Sequence, residues 1–196
     1  MSLREKKTAK KKADILRSAV EVIAEKGYHA TTMEDIAAKL LMTKGSVYYY
    51  FKDKQDLLYQ SYKMLLEQSN KMITEIINMN LPIKEKLEKV MKSHIVFIIS
   101  ERSSYGLKVK PEHYFEGEQL EIIFGLQENY ANSFDQLIEE GIQAKIFSEV
   151  DVKIVRNLII GAMNWVIQWY STEGKKSAEE MAEIISEYLM KILIRS

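Results

Sequence analysis

The residues best equipped for chemistry stand in one short string, Thr43-Lys44-Gly45-Ser46-Val47-Tyr48-Tyr49-Tyr50-Phe51. At helical spacing Val47 and Phe51 share one face and form an inward stripe. Gly45 inside a helix costs about 1 kcal/mol relative to Ala. Three consecutive tyrosines, each turned about 100° from the last, cannot all enter one core. What remains is a surface that a polyanion can approach closely at Gly45. Its ammonium and hydroxyl groups suit phosphate oxygens and base edges.

Other chemistries lack their residues. The chain has no cysteine, which excludes disulfides, thiolate zinc sites, iron–sulfur clusters and a thiol nucleophile. Its histidines, His29, His94 and His113, do not form a His-Glu-x-x-His pair for a metal. Lys44-Gly45-Ser46 reverses the Gly-Lys-Ser/Thr order of a phosphate loop, and no Gly-x-Ser-x-Gly elbow is present. Neither an enzyme, a metal site nor a bound cofactor is expected.

Charge supports a polyanion partner. The chain is neutral overall, with 28 basic and 28 acidic residues. Residues 1–54 hold 12 basic and 7 acidic side chains, a net +5 that the rest of the chain balances. Much of the excess is the run Lys6, Lys7, Lys10, Lys11 and Lys12, which reads either as an arm reaching DNA or as a disordered, solubilising tail. The first residues lack the apolar core of a secretory signal. The longest apolar stretch, Leu158 to Tyr170, falls short of the roughly 20 residues that span a bilayer. A soluble, cytoplasmic protein without membrane contact is expected.

The elements that must position the string are helices. Eight glycines and two prolines are too few turn-formers for many short strands, so the expected fold is all-α. Ile15, Leu16, Ala19, Val20, Val22 and Ile23 mark a first helix that Gly27 stops. Thr32, with Asp35 three residues on, caps a second helix over about Met33 to Leu41. Thr43 caps a third from about Lys44 to Phe51, and Asp53 caps a fourth that runs to about Met79. A long helix followed by two short ones around a tight turn is a helix-turn-helix unit.

Residues 13–58 resemble the DNA-binding domain of the tetracycline-repressor (TetR) family of transcriptional regulators. The resemblance is carried by Ile15, Ala19, Gly27, Thr31-Thr32, Ile36-Ala37, Gly45-Ser46-Val47-Tyr48-Tyr49-Tyr50-Phe51, Lys54 and Leu57-Leu58. One position departs: the turn reads Leu40-Leu41-Met42, where the family often has glycine. The resemblance implies that Thr32, Lys44, Gly45, Ser46, Tyr48, Tyr49, Tyr50 and Lys54 face double-stranded DNA, Lys54 as a point charge on a phosphate. It implies a small core of Ile36, Ala37, Val47 and Phe51; the helix pattern, with Asp53 opening the fourth helix, divides the chain at residues 1–52 and 53–196.

The larger part reads as a helical body. Pro82 opens a helix with Leu87, Val90, Met91, His94 and Phe97 inward, and Glu101 to Glu116 is a loop holding one short helix at most. Ile123, Leu126, Tyr130, Phe134 and Leu137 mark a long helix ending near Gly141 to Phe147. Asp151 caps a helix to about Thr172, and Ser177 with Glu180 caps the last, to about Leu193. Both final helices are apolar on more than one side, which predicts a symmetric bundle between two copies. Leu158, Ala162, Trp169, Ile185, Tyr188, Leu189 and Ile192 would lie in that homodimer interface, with Gly161 allowing close approach. The family resemblance implies the same dimer.

The string Leu137-Ile138-Glu139-Glu140-Gly141-Ile142, with Phe147, Asp151, Gly161, Asn164-Trp165, Trp169-Tyr170, Gly174 and Ser177, is similar to family members that sense acyl-CoA or steroid-derived CoA thioesters. A small hydrophobic effector would need an apolar cavity with a few polar groups. Met64, Phe97, Tyr105, Tyr130 and Trp165 are expected to line it, together with Ile98 and Phe124. His94, Gln127, Asn164 and Gln168 are expected to supply hydrogen bonds, and Arg102, Lys108 and Lys110 to meet CoA phosphates. Two other readings stay open. One is an efflux repressor that senses lipophilic aromatic cations through the aromatic residues and Glu101 or Glu121. The other is a sequence-indifferent DNA binder.

Overall fold

The structure, a computed structural model, describes residues 2–101 and 110–194. Among these it contains eight α-helices and no strand. They are α1 (Leu3–Lys26), α2 (Met33–Lys39), α3 (Lys44–Tyr48), α4 (Lys54–Ile77), α5 (Ile83–Ser100), α6 (Gly117–Gln143), α7 (Val152–Trp169) and α8 (Ala178–Met190). A single 3-10 turn, Pro111–His113, precedes α6. No helix among the described residues is long and apolar enough to cross a membrane.

The predicted caps form. Thr32 accepts from the Asp35 amide while Asp35 accepts from the Thr32 amide, a reciprocal capping box that satisfies two otherwise orphaned donors. Ser177 and Glu180 repeat the arrangement on α8. Thr43, Asp53 and Asp151 cap α3, α4 and α7 through side-chain oxygens. Gly27 ends α1 at φ 83°, a conformation only glycine adopts freely.

Two details correct the sequence reading. The lysine run is not a disordered tail: it continues α1 back to Leu3, where Ser2 and Glu5 form a further capping box. α3 is shorter than predicted, ending at Tyr48, because Tyr50 turns back to the Val47 carbonyl in a tighter turn.

By contacts the described residues form two compact units. The first runs through Leu65 and also takes in the described residues up to Ile123. Its core joins Ile15, Leu16, Ala19 and Val22 of α1 with Ile36 and Ala37 of α2, Val47 and Phe51 around α3, and Leu57 of α4. Phe115 is buried in the same unit against Tyr59 and Tyr62, and Gln55 Nε2 donates to the Tyr114 carbonyl at 3.0 Å. A segment far along the chain therefore completes the helix-turn-helix unit.

The second unit takes in residues from Leu66 and from Phe124 onwards. α5 packs against α7 and α8; Leu87, Val90, Met91, Ile95 and Ile98 of α5 are buried, as are Ile159, Met163 and Val166 of α7 and Ala182 of α8. α6 ends where Lys145 takes φ 59° and Phe147 folds back over Gly141. A Cβ at Gly141 would stand 2.0 Å from the Phe147 ring, so only glycine lets the ring lie there.

Candidate nucleic-acid interface and effector region

α2, the turn and α3 present the predicted string outward. Val47 is fully buried, and Lys44, Gly45, Tyr48 and Tyr49 are exposed, Tyr49 to 79%. A Cβ at Gly45 would meet nothing within 4 Å, so no packing among the described residues requires glycine there. Thr43 and Ser46 join their hydroxyls at 2.8 Å, which fixes both oxygens on the rim of α3.

Lys44 is already engaged. Its Nζ bonds the Glu34 carboxylate, which draws Glu34 below and Lys44 above their ordinary pKa, and it lies 5.6 Å from the Tyr48 ring. Asp35 is lowered to about 2, chiefly by the Lys26 ammonium 2.6 Å away and then by the Thr32 amide and hydroxyl. Thr32 thus serves first as a helix cap, donating its hydroxyl to Asp35.

Two of the residues expected to face DNA also make contacts within their own chain. Tyr50 packs against the core and edge-on to Tyr49, with ring centroids 5.0 Å apart. Lys54 does not offer a free ammonium. Its Nζ donates to the carbonyls of Tyr28 at 2.6 Å, Thr31 at 2.7 Å and His29 at 3.4 Å, and stands over the Tyr28 ring. Three ammonium hydrogens therefore tie the α1–α2 loop to the start of α4. Sequence reading missed Glu34, Tyr28 and Tyr114, because their roles arise between elements and leave no local pattern.

These features compose a helix-turn-helix whose third helix is polar, aromatic and open outward. Residues 15–60 match the family described as "Bacterial regulatory proteins, tetR family", and residues 80–193 match "Tetracyclin repressor-like, C-terminal domain". The chain belongs to the TetR family. It is 29% identical over 181 residues to the "Fatty acid metabolism regulator protein" of Bacillus subtilis, covering 90% of this chain and 92% of that one. Its fold is similar to FadR from Bacillus subtilis in complex with stearoyl-CoA, at TM-score 0.71 and 28% identity over 89% of this chain and 95% of that one. It is also similar to the ketosteroid regulator KstR2 of Mycobacterium tuberculosis, at TM-score 0.85 and 18% identity over 95% and 96% of the two chains. Members of the TetR family are transcriptional regulators and not enzymes.

In the second unit of this TetR-family regulator the structure brings together three of the predicted effector residues. His94 Nδ1 lies 2.6 Å from the Tyr130 hydroxyl and His94 Nε2 lies 2.9 Å from Asn164 Oδ1. An amide oxygen only accepts, so Nε2 carries the proton and Tyr130 donates to Nδ1. Burial pushes the imidazole down to about 4, opposed by the Asn164 bond, so the ring is neutral at pH 7.

The other predicted pocket residues do not converge there. Trp165 is 63% exposed on the outer side of α7, and Gln168 and Phe124 are exposed as well. Helical geometry turns Trp165 about 100° from Asn164, which explains why one enters the network and the other does not. Met64 packs against the helix-turn-helix core. Gln127 is half-buried on α6, Ile98 is fully buried in the second unit's core, and Lys110 is exposed. Tyr105, Arg102 and Lys108 lie outside the described residues. A groove of about 510 Å³ runs between α5 and α8 over Val96, Phe97 and Ala182, and the Lys92–Glu183 ion pair stands on its lining.

Of the predicted interface residues, Leu158, Ala162, Trp169, Tyr188 and Ile192 are exposed and Ile185 is half-buried. Leu189 is a correction: it is buried within its own chain, on the side of α8 that also buries Ala182 and Ser186.

Proposed function

We propose that this protein is a homodimeric repressor that binds an inverted-repeat operator through α3 and releases it when a long-chain acyl-CoA occupies the second unit. The observation that carries the DNA reading is the outer face of α3. Its glycine has open space at the Cβ position, and Lys44, Tyr48 and Tyr49 flank it, exposed. That combination suits close approach to phosphates and base edges in a major groove. Such a regulator acts in the cytoplasm, where the DNA is.

The dimer reading is supported by an apolar stripe left exposed among the described residues. Ile154, Leu158, Trp165 and Trp169 follow one another along α7, with Tyr188 and Ile192 exposed on α8. Soluble chains rarely leave large aromatic surface of this kind to water, and a two-fold copy buries such a patch against itself. Exposed Gly161 and Ala162 let two α7 helices come close.

The effector reading is supported by the likeness to the stearoyl-CoA-bound regulator at 28% identity. An effector shifts the DNA-competent population only through its differential affinity for two arrangements. α4 supplies residues to both units, so a change in its tilt is the route by which such a preference reaches α3.

Selection from random duplex DNA, followed by titration of the selected complex with stearoyl-CoA and separately with a lipophilic aromatic cation, tests all three parts. A two-fold-symmetric site and release by stearoyl-CoA are expected. No enriched site would end the regulator reading. Release by the cation alone would move the effector to the other class and leave the repressor.

A further inference from the structure

We infer that Leu41, in the turn between α2 and α3, contacts DNA directly and reads an apolar feature of the operator; this rests on the DNA-binding reading above. Leu41 sits in the left-handed region, at φ 52°. That conformation crowds a Cβ against the following carbonyl and is routine only for Gly, Asn and Asp. Its side chain is also 97% exposed, while its neighbours Leu40 and Met42 pack against the helix-turn-helix core. Leucine is thus disfavoured here twice, by backbone and by solvent, with no packing against the described residues to offset either.

The turn itself does not need leucine. Leu41 N donates to the Ala38 carbonyl at 3.1 Å and Met42 N to the Ala37 carbonyl at 2.9 Å, the two backbone bonds of a Schellman ending. Glycine would keep both bonds, relieve the strain and remove the exposed apolar surface. Strain held at a well-fixed position is a pointer to a functional contact outside the chain.

Position identifies the partner. Leu41 lies four residues before Gly45, so their Cα atoms are at most about 14 Å apart even if the chain were extended. A B-DNA major groove is about 12 Å wide, so a duplex entered by α3 has its near wall within reach of Leu41. A leucine side chain offers only apolar CH, CH2 and CH3 groups. The matching features of DNA are the thymine 5-methyl and the apolar face of deoxyribose.

The test compares wild type, Leu41→Gly and Leu41→Ala on a site selected by the wild-type full chain. A parallel set of duplexes carries uracil in place of each thymine. Leu41→Gly should melt higher than wild type yet bind the site at least five-fold more weakly, and Leu41→Ala should lose the same affinity without the gain in melting temperature. A single uracil that weakens wild type but not Leu41→Gly assigns the contact to a thymine methyl; no uracil effect, with the affinity loss intact, assigns it to deoxyribose. Leu41→Gly binding as tightly as wild type overturns the inference while the regulator reading stands. A wild type that selects no site overturns both.

Discussion

The ammonium of Lys54 lies 2.6 Å from the carbonyl oxygen of Tyr28 and 4.4 Å from the centroid of that residue's ring. Tyr28 in turn meets Tyr114 edge to face at 4.9 Å, so one lysine joins the α1–α2 loop, the start of α4 and the segment before α6. Losing hydrogen bonds from a charged donor typically costs about 1.5–3 kcal/mol. Lys54→Ala should therefore lower the melting temperature of the protein as well as weaken DNA binding to every sequence. Calorimetry separates this from a pure phosphate contact, for which binding would fall at unchanged stability.

Glu34 holds Lys44 in the free protein. A carboxylate beside a phosphate-facing ammonium both occupies the cation and repels DNA. Glu34→Gln should raise affinity for any duplex severalfold at low salt, and Lys44→Ala should lower it and reduce the salt slope by about one. Fluorescence anisotropy across a salt series reads both, and equal slopes for wild type and Lys44→Ala would show that Lys44 touches no phosphate.

His94 is neutral in the folded chain because burial pushes its pKa down to about 4, whereas an unfolded histidine titrates near its ordinary 6.5. Below pH 6.5 the unfolded state gains a proton that the folded state refuses, so stability falls as pH drops towards 4 and then levels off. The shift corresponds to about 3 kcal/mol at full protonation of the unfolded state. Urea titrations of wild type and His94→Gln between pH 7.5 and 4 should converge as pH falls; parallel curves would sink this assignment. Asp35, lowered to about 2 by Lys26, adds a separate loss only below pH 4.

Gly141 and Phe147 are matched in shape. In an open helix, Gly→Ala is favourable by about 1 kcal/mol. Here the added methyl must displace the ring, so Gly141→Ala should destabilise by about 1–3 kcal/mol. Phe147→Leu should restore part of that loss in the double variant, and additive losses would show that the two residues are uncoupled.

Leu158, 56% exposed, and Trp165, 63% exposed, stand on one side of α7. Leu158→Glu with Trp165→Glu should yield a folded monomer, with helical circular dichroism unchanged and operator affinity lost. Sedimentation that still shows a dimer would move the interface off α7.

The chain alone determined what depends on neighbours in sequence. Thr32 with Asp35, Thr43, Asp53, Asp151, and Ser177 with Glu180 announced helix starts, because a cap is a bond between residues two or three apart. The stripe of Val47 and Phe51 likewise sorted the buried from the open side of α3, and the glycine and tyrosines left outside pointed to DNA. The employment of each polar group was decided only in three dimensions. Lys54 could serve a phosphate or a carbonyl, and the choice fell to loop carbonyls 23–26 residues away. Asn164 and Trp165 are adjacent and both exposed, yet the turn of α7 lets only the Asn164 amide reach His94. At Leu41 only the departure from the family's usual glycine hinted at the turn, and the left-handed backbone itself appears with Leu40 and Met42 packed on the core.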